Sequence, residues 1–205
     1  MLYVQIDPFN PDVWRLDPVL RSIQRGGLGV IPTDTVYAFV CDIGSKTAIE
    51  RLYALKDLDP RKPLSILCRD FQMVATYTRG FPTSLYRTVR RCLPGPYTFI
   101  LPASSLIPRL MLRKRRTVGV RIPKDTVCEA LLEDLERPLL CTSVRMPDDS
   151  PWNNPAEIED AYKSQLDFVV DAGERLADPS TVVDLSEDEP VVLRKGKGDV
   201  SMFEP

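Results

Sequence analysis

Two spacings of apolar residues alternate along the chain. LYVQI (2–6) repeats every second position, the period of a strand with one face buried. DPVLRSIQRGG (17–27) repeats at helical spacing, with Asp17 as N-cap candidate, Pro18 in the first turn and glycine at the end. Residues 28–42, LGVIPTDTVYAFVCD, are two apolar runs parted by Thr33, Asp34 and Thr35. SKTAIERLYALKD (45–57) predicts a helix capped by Ser45, with Ala48, Ile49, Leu52 and Leu55 on one face. PLSILC (63–68) reads as a buried strand.

Helical patterns follow around 71–78 and 82–93, then PGPYTFILP (94–102) gives a turn and a strand. IPRLMLRKRR (107–116) is a basic helix candidate, TVGVRIP (117–123) a strand, DTVCEALLEDLE (125–136) a helix and PLLCTSVR (138–145) a strand. AEIEDAYKS (156–164) is helical, and DFVVDAG, STVVDLS and PVVLRKG close the chain as short β-rich runs. The sequence shows no repeat and no composition break. Helices and strands in alternation with a β-rich end predict an α/β fold, one domain over 1–205 with a mixed sheet flanked by helices.

Composition narrows the chemistry. With 205 residues, 43% of them hydrophobic, a sizeable core is available. No apolar run approaches the roughly 18 residues of a membrane span, and MLYVQIDPFN lacks the layout of a signal peptide. The expected compartment is the cytoplasm, or an organellar stroma or matrix if a transit peptide has been removed. Five cysteines (41, 68, 92, 128, 141), an odd number without a C-x-x-C, read as buried reduced thiols. The chain has no histidine, which excludes Ser-His-Asp and Cys-His sites and the usual zinc ligand set. Carboxylates, Lys, Arg, Tyr, hydroxyls and backbone amides are left to do any chemistry. That favours charge stabilisation and positioning over proton shuttling.

The net charge of -2 hides an asymmetry. Residues 71–124 carry eleven Arg or Lys and no Asp or Glu, whereas residues 125–190 carry eighteen acids against four bases. A stretch of one sign can build a phosphate-attracting face on an acidic protein. Its densest part, Arg113, Lys114, Arg115 and Arg116, reads equally well as a solvated helix surface or as an RNA footprint.

The glycines of RGGLGV precede a strand instead of following one, so they make no dinucleotide fingerprint. No P-loop motif is present. What remains is a set of polar residues at the ends of buried runs: Thr33, Thr35, Lys56, Thr98, Arg121, Thr142, Ser143, Ser180, Thr181 and Arg194. In open α/β sheets the ligand lies where strand ends converge. Hydroxyls with Lys and Arg are what a phosphate-bearing ligand asks for. The interruption at 33–35 is then either a solvent-facing turn or an opening toward that ligand.

VIPTDTVYAF, the helix ending in Lys56 before a PLS strand, PGPYTFIL, VGVRIP, CTS, PSTVVDL and VLRKGKGD stand here in an order that resembles the YrdC-like family, over about 26–198. The resemblance implies a single twisted mixed sheet with a concave basic groove. Founding members of the family bind double-stranded RNA. Its enzymes, L-threonylcarbamoyladenylate synthases, join ATP, bicarbonate and L-threonine, release pyrophosphate and serve threonylcarbamoyl-adenosine modification of tRNA.

Carried over residue by residue, Thr33, Thr35, Tyr37 and Thr98 would line the threonine and carbamoyl pocket, with Arg121 beside them. Lys56 and Arg121 would be catalytic cations, and Lys56, Thr142, Ser143, Ser180 and Arg194 would hold ATP or AMP. Mg²⁺ would accompany ATP as substrate, with no tightly bound cofactor, no dedicated metal motif and no membrane partner.

Two departures stand out. The synthases carry K-x-R and S-x-N, where this chain has Lys56-Asp57-Leu58 and Ser143-Val144-Arg145. Losing a phosphate-contacting guanidinium costs about 1.5–3 kcal/mol, or roughly ten- to a hundredfold in rate. TSVRMP and the longer LKDLDPRKPLS segment resemble the YciO-like subgroup. Two functions follow from the resemblance: a threonylcarbamoyl-AMP synthase, weakened or lost, or a non-catalytic RNA- or nucleotide-binding module.

Overall fold

The two apolar runs parted at 33–35 fold back on each other as neighbouring antiparallel strands, β2 (Leu28–Ile31) and β3 (Ala38–Asp42), with Ile31 opposite Ala38. They lie inside one ten-stranded mixed sheet. The computed structural model describes residues 1–55, 64–112, 116–175, 178–187 and 189–203. Its other strands are β1 (Leu2–Gln5), β4 (Ser65–Leu67), β5 (Tyr97–Pro102), β6 (Thr117–Arg121), β7 (Leu139–Ser143), β8 (Phe168–Asp171), β9 (Thr181–Asp184) and β10 (Val191–Arg194). The spatial order is β1-β8-β2-β3-β7-β4-β6-β5-β9-β10. The three β-rich runs near the C-terminus therefore part company. One enters the sheet between β1 and β2, parallel to both, while the other two form the opposite edge beside β5.

Seven helices pack on this sheet: α1 (Asp17–Gln24), α2 (Lys46–Leu55), α3 (Phe71–Tyr77), α4 (Tyr86–Cys92), α5 (Arg109–Leu112), α6 (Thr126–Glu133) and α7 (Pro155–Tyr162), counted among the described residues. Ser45 Oγ accepts from the Ala48 amide, as its capping position predicts. Asp17 does not cap α1. A 3-10 turn, Val13–Leu16, runs straight into the helix and makes Asp17 its first residue. Gly26 closes that helix at φ +82°, in the left-handed region. Of the basic helix candidate at 107–116, α5 covers only Arg109–Leu112, and residues 113–115 lie outside the described ones. No helix among the described residues is long and apolar enough to cross a membrane.

Strand side chains alternate between two faces. On one, Val30, Phe39, Ile66, Phe99, Val120, Leu140 and Val183 form a core with α2, α3, α4 and α7. On the other, Ile31, Val40, Leu67, Leu139, Phe168 and Val170 pack under α1 and α6. That second layer ends at β4. Beyond it, β6, β5, β9 and β10 carry no helix on this face among the described residues.

All five cysteines are free and buried within the two layers. Burial pushes their thiols up, Cys141 to about 11 and Cys41 to about 12.

Candidate nucleotide-binding cavity

The 33–35 interruption is a buried hairpin loop, not a solvent-facing turn. Thr33 and Thr35 are 0% and 1% exposed. Thr33 Oγ1 donates to the Val36 carbonyl at 2.7 Å and accepts from the Thr35 amide at 3.2 Å, so the loop is tied to itself. Arg121, at the end of β6, reaches under it. Its Nη2 donates to Asp34 Oδ1 at 2.6 Å and to Thr35 Oγ1 at 2.9 Å. The loop is held from two more sides, by the Lys124 amide on Asp34 Oδ2 and by Lys197 Nζ on the Asp34 carbonyl. Arg121 and Asp34 side chains are each 6% exposed, so the pair is dry. A buried pair of this kind fixes geometry more than it adds stability. Arg121 Nε remains buried without a partner.

Arg121 forms one wall of a cavity of about 520 Å³ over the helix-free part of the sheet. Because the register aligns Ser65 with Gly119 and with Cys141, and Ile100 with Gly119, these residues share one row of one face. Thr98, Val182 and Arg194 make the next row. Gly119 keeps the floor open, since a Cβ there would stand 2.4 Å from Ser65 Oγ and 3.1 Å from Thr98 Cγ2. Thr98 Oγ1 and Ser180 Oγ are 2.8 Å apart. Arg194 is locked by its Nε and Nη2 donating to the Ser180 carbonyl at 3.0 and 2.8 Å.

A third guanidinium enters from the loop after β7. Arg145 bridges to Pro151 in a short hairpin. Its Nη1 donates to the Asp149 carbonyl at 2.5 Å and pairs with Asp149 Oδ2 at 3.2 Å. Asp149 sits at the hairpin tip with φ +66°, and both residues line the cavity. Burial, and then the charges of Arg145 and Arg121, lower the pKa of Arg194 from its ordinary value; Asp149 opposes this. Three cations crowding one hollow until one of them is destabilised is an arrangement that an anion would relax.

Arg121, Thr98, Thr142, Ser143, Ser180 and Arg194 all line this one cavity. Thr33 and Thr35 lie behind Arg121 as its support, outside the lining. Tyr37 points away, its hydroxyl donating to the Gly173 carbonyl and accepting from the Ala172 amide. Burial pushes that phenol up to about 12. Thr181 is spent on Gly198 and Gly196. Lys56, Arg113, Lys114 and Arg115 lie outside the described residues, and Arg116 is exposed before β6 without lining the cavity.

Sequence reasoning missed Asp34 as the partner of Arg121, the Gly119 floor, the Ser65 wall and Asp149 as the partner of Arg145. Ser65 and Gly119 stood inside two of the quoted motifs, PLS and VGVRIP. Their small size was the available signal.

Known proteins match this chain in sequence and in shape. The Sua5_yciO_yrdC family, described as "Telomere recombination", matches residues 21–196. The YciO protein of Escherichia coli (strain K12) is 36% identical over 203 residues, 98% of each chain. Its crystal structure superposes with a TM-score of 0.91, covering 99% of this chain and 98% of that one. A threonylcarbamoyl-AMP synthase of Pyrococcus abyssi is 29% identical over 184 residues, 89% of this chain and 54% of its own. The P. abyssi Sua5 structure complexed with L-threonine superposes with a TM-score of 0.89 at 26% identity, covering 96% of this chain and 58% of that one. The chain belongs to the Sua5/YciO/YrdC family and is related to the threonylcarbamoyl-AMP synthases.

Proposed function

We propose that this cavity binds ATP beside L-threonine and forms threonylcarbamoyl-AMP, with bicarbonate as the carbon source and pyrophosphate as the leaving group. The convergence of Arg121, Arg145 and Arg194 with the hydroxyls of Thr98 and Ser180 on one hollow carries this reading. Adenylation at the α-phosphorus develops negative charge on the departing pyrophosphate, which fixed guanidinium groups stabilise without reorganising. Arg194 and Arg145 take the phosphates. Arg121, oriented by Asp34, takes the carboxylate or carbamate end. A carbamate decomposes in water, and the hydroxyls of the cavity floor would replace water around it with fixed hydrogen bonds. Magnesium would arrive as MgATP, and the cavity's hydroxyls and the Asp149 carboxylate are the hard oxygen donors it prefers. The L-threonine in the P. abyssi relative supports the same substrate here.

A second reading is favoured by one observation. Arg145 stands where S-x-N has asparagine, and it is already engaged by Asp149 in the cavity. Under this reading the nucleotide is held but the adenylate is not formed. Pyrophosphate release separates the two. Release from ATP that requires both threonine and bicarbonate supports synthesis. Calorimetric binding of ATP, with release indifferent to either co-substrate, supports the binding module and ends the synthase reading.

A further inference from the structure

The opposite face of β5 carries a second cleft, which the nucleotide cavity does not use. Thr98 and Ile100 point into the cavity, while their neighbour Phe99 points the other way and packs edge-on against Phe81 at 6.0 Å. Phe81, Thr83, Ser84, Tyr86 and Arg87 line a surface cleft of about 490 Å³ there. Tyr86 is 44% exposed, a large aromatic that the core does not claim. Phe71 holds the two rings in place, 5.9 Å from Phe81 and 6.2 Å from Tyr86, and is itself covered by the Arg90 guanidinium at 4.8 Å. Arg87 and Arg91 stand exposed on α4 beside it, and neither pairs with a carboxylate among the described residues. No acid occurs between 71 and 124. Among the described residues, Asp70 precedes α3, where it caps that helix and pairs with Arg69, and Asp199 lies beyond the far end of α4 near Cys92.

An exposed aromatic ring, hydroxyls and guanidinium groups in one shallow cleft, on a segment without acids, match a base with its phosphates. An unpaired base offers a free face to stack on Tyr86, and the flanking phosphates meet Arg87 and Arg91. A duplex keeps its bases stacked on each other and gains nothing from the ring. We propose that the α4 face is a docking site for single-stranded polynucleotide, separate from the nucleotide cavity and independent of the reaction run there.

The test is fluorescence anisotropy of a labelled single strand of ~10 nucleotides on the full chain, without ATP or threonine. With about two phosphates neutralised, by Arg87 and Arg91, at about −0.7 each, affinity should fall roughly sevenfold when salt rises fourfold. Arg87→Glu with Arg91→Glu should weaken binding at least tenfold and flatten the salt slope. Tyr86→Ala should weaken it roughly fivefold or more, with Tyr86→Phe restoring it. If charge reversal disturbs α4, Arg87→Gln and Arg91→Gln should give the same order with smaller losses.

Binding untouched by these variants overturns the proposal. So does a loss seen in Arg145→Ala instead, which would move the polyanion to the cavity. A duplex of equal length bound as tightly, or polyglutamate competing as well as unlabelled strand, would equally remove the base-stacking site.

Discussion

One face of the sheet has two halves that meet at β4 and share twist and period, yet only one half is roofed by helices among the described residues. Under α1 and α6 the side chains of that face are Ile31, Val40, Phe168 and Val170, all fully buried. Across β4 the same parity supplies Ser65, Gly119, Thr98 and Arg194, with no helix of the described residues above them. The strand Ser65–Leu67 carries the boundary within itself, Leu67 in the apolar layer and Ser65 in the cavity wall. A sheet face without a helix must either expose apolar side chains or replace them. Here it replaces them with small, hydroxyl-bearing and cationic ones, and the gap in the roof becomes the site.

The halves should therefore answer mutation in opposite currencies, stability on the roofed side and ligand affinity on the open one. Phe168→Ala empties a fully enclosed position against Gly29. It should cost about 3–5 kcal/mol in urea unfolding while leaving the ATP affinity of the folded fraction alone. Arg194→Ala should do the reverse. It removes a charge-assisted phosphate contact, lowering ATP affinity about ten- to a hundredfold by calorimetry. Because burial, and then the charges of Arg145 and Arg121, disfavour the charged form of Arg194, its removal should leave the urea midpoint unchanged or slightly raised. A midpoint that collapses on Arg194→Ala, or an affinity that collapses on Phe168→Ala, would break the contrast.

The roofed half was the more legible from sequence, because burial leaves a periodic record. DPVLRSIQRGG and DTVCEALLEDLE announced the roof helices α1 and α6, and the strand runs beneath them announced themselves by length and branching. Order in the sheet left no such record. Nothing local says that Phe168–Asp171 inserts between β1 and β2, since pairing partners are chosen by tertiary packing. For the site, strand-end Thr, Ser and Arg were readable as a set, and Arg121, Thr98, Thr142, Ser143, Ser180 and Arg194 do share one cavity. Which hydroxyls face a ligand and which serve the scaffold was not readable. Thr33 and Thr35 brace Arg121, and Tyr37 ties down the 172–173 turn, because side-chain direction in an irregular loop follows contacts that sequence spacing does not encode. Family motifs carried the order of these segments, and they also drew attention away from Asp34.

Asp149 offers a finer handle on the open half. Its carboxylate pairs with Arg145, so an incoming phosphate must compete with it. Asp149→Asn keeps the shape at the hairpin tip, where asparagine also tolerates positive φ, and withdraws the competing charge. Pyrophosphate should bind a fewfold tighter to this variant by calorimetry, with no change in urea midpoint. Weaker binding would mean that the carboxylate assists the ligand, for instance through its metal ion.

The smallest expected effect uses two thiols that sit on opposite faces of the sheet, on the neighbouring strands β3 and β7. Cys41 lies in the layer beneath α2, whereas Cys141 lies in the cavity floor. Burial raises both thiols, to about 12 and about 11, so at pH 8 the thiolate is a small fraction of either. Raising the pH toward these values increases the thiolate in each, and alkylation by iodoacetamide should accelerate accordingly in both. Nucleotide should discriminate between them. A ligand resting over Ser65 and Gly119 covers Cys141 and leaves the route to Cys41 unaltered. Peptide mapping should then show ATP slowing alkylation of Cys141 a fewfold relative to Cys41. Equal slowing of the two would mean that ATP acts by stabilising the whole fold, and the open half would lose its claim to be where the nucleotide rests.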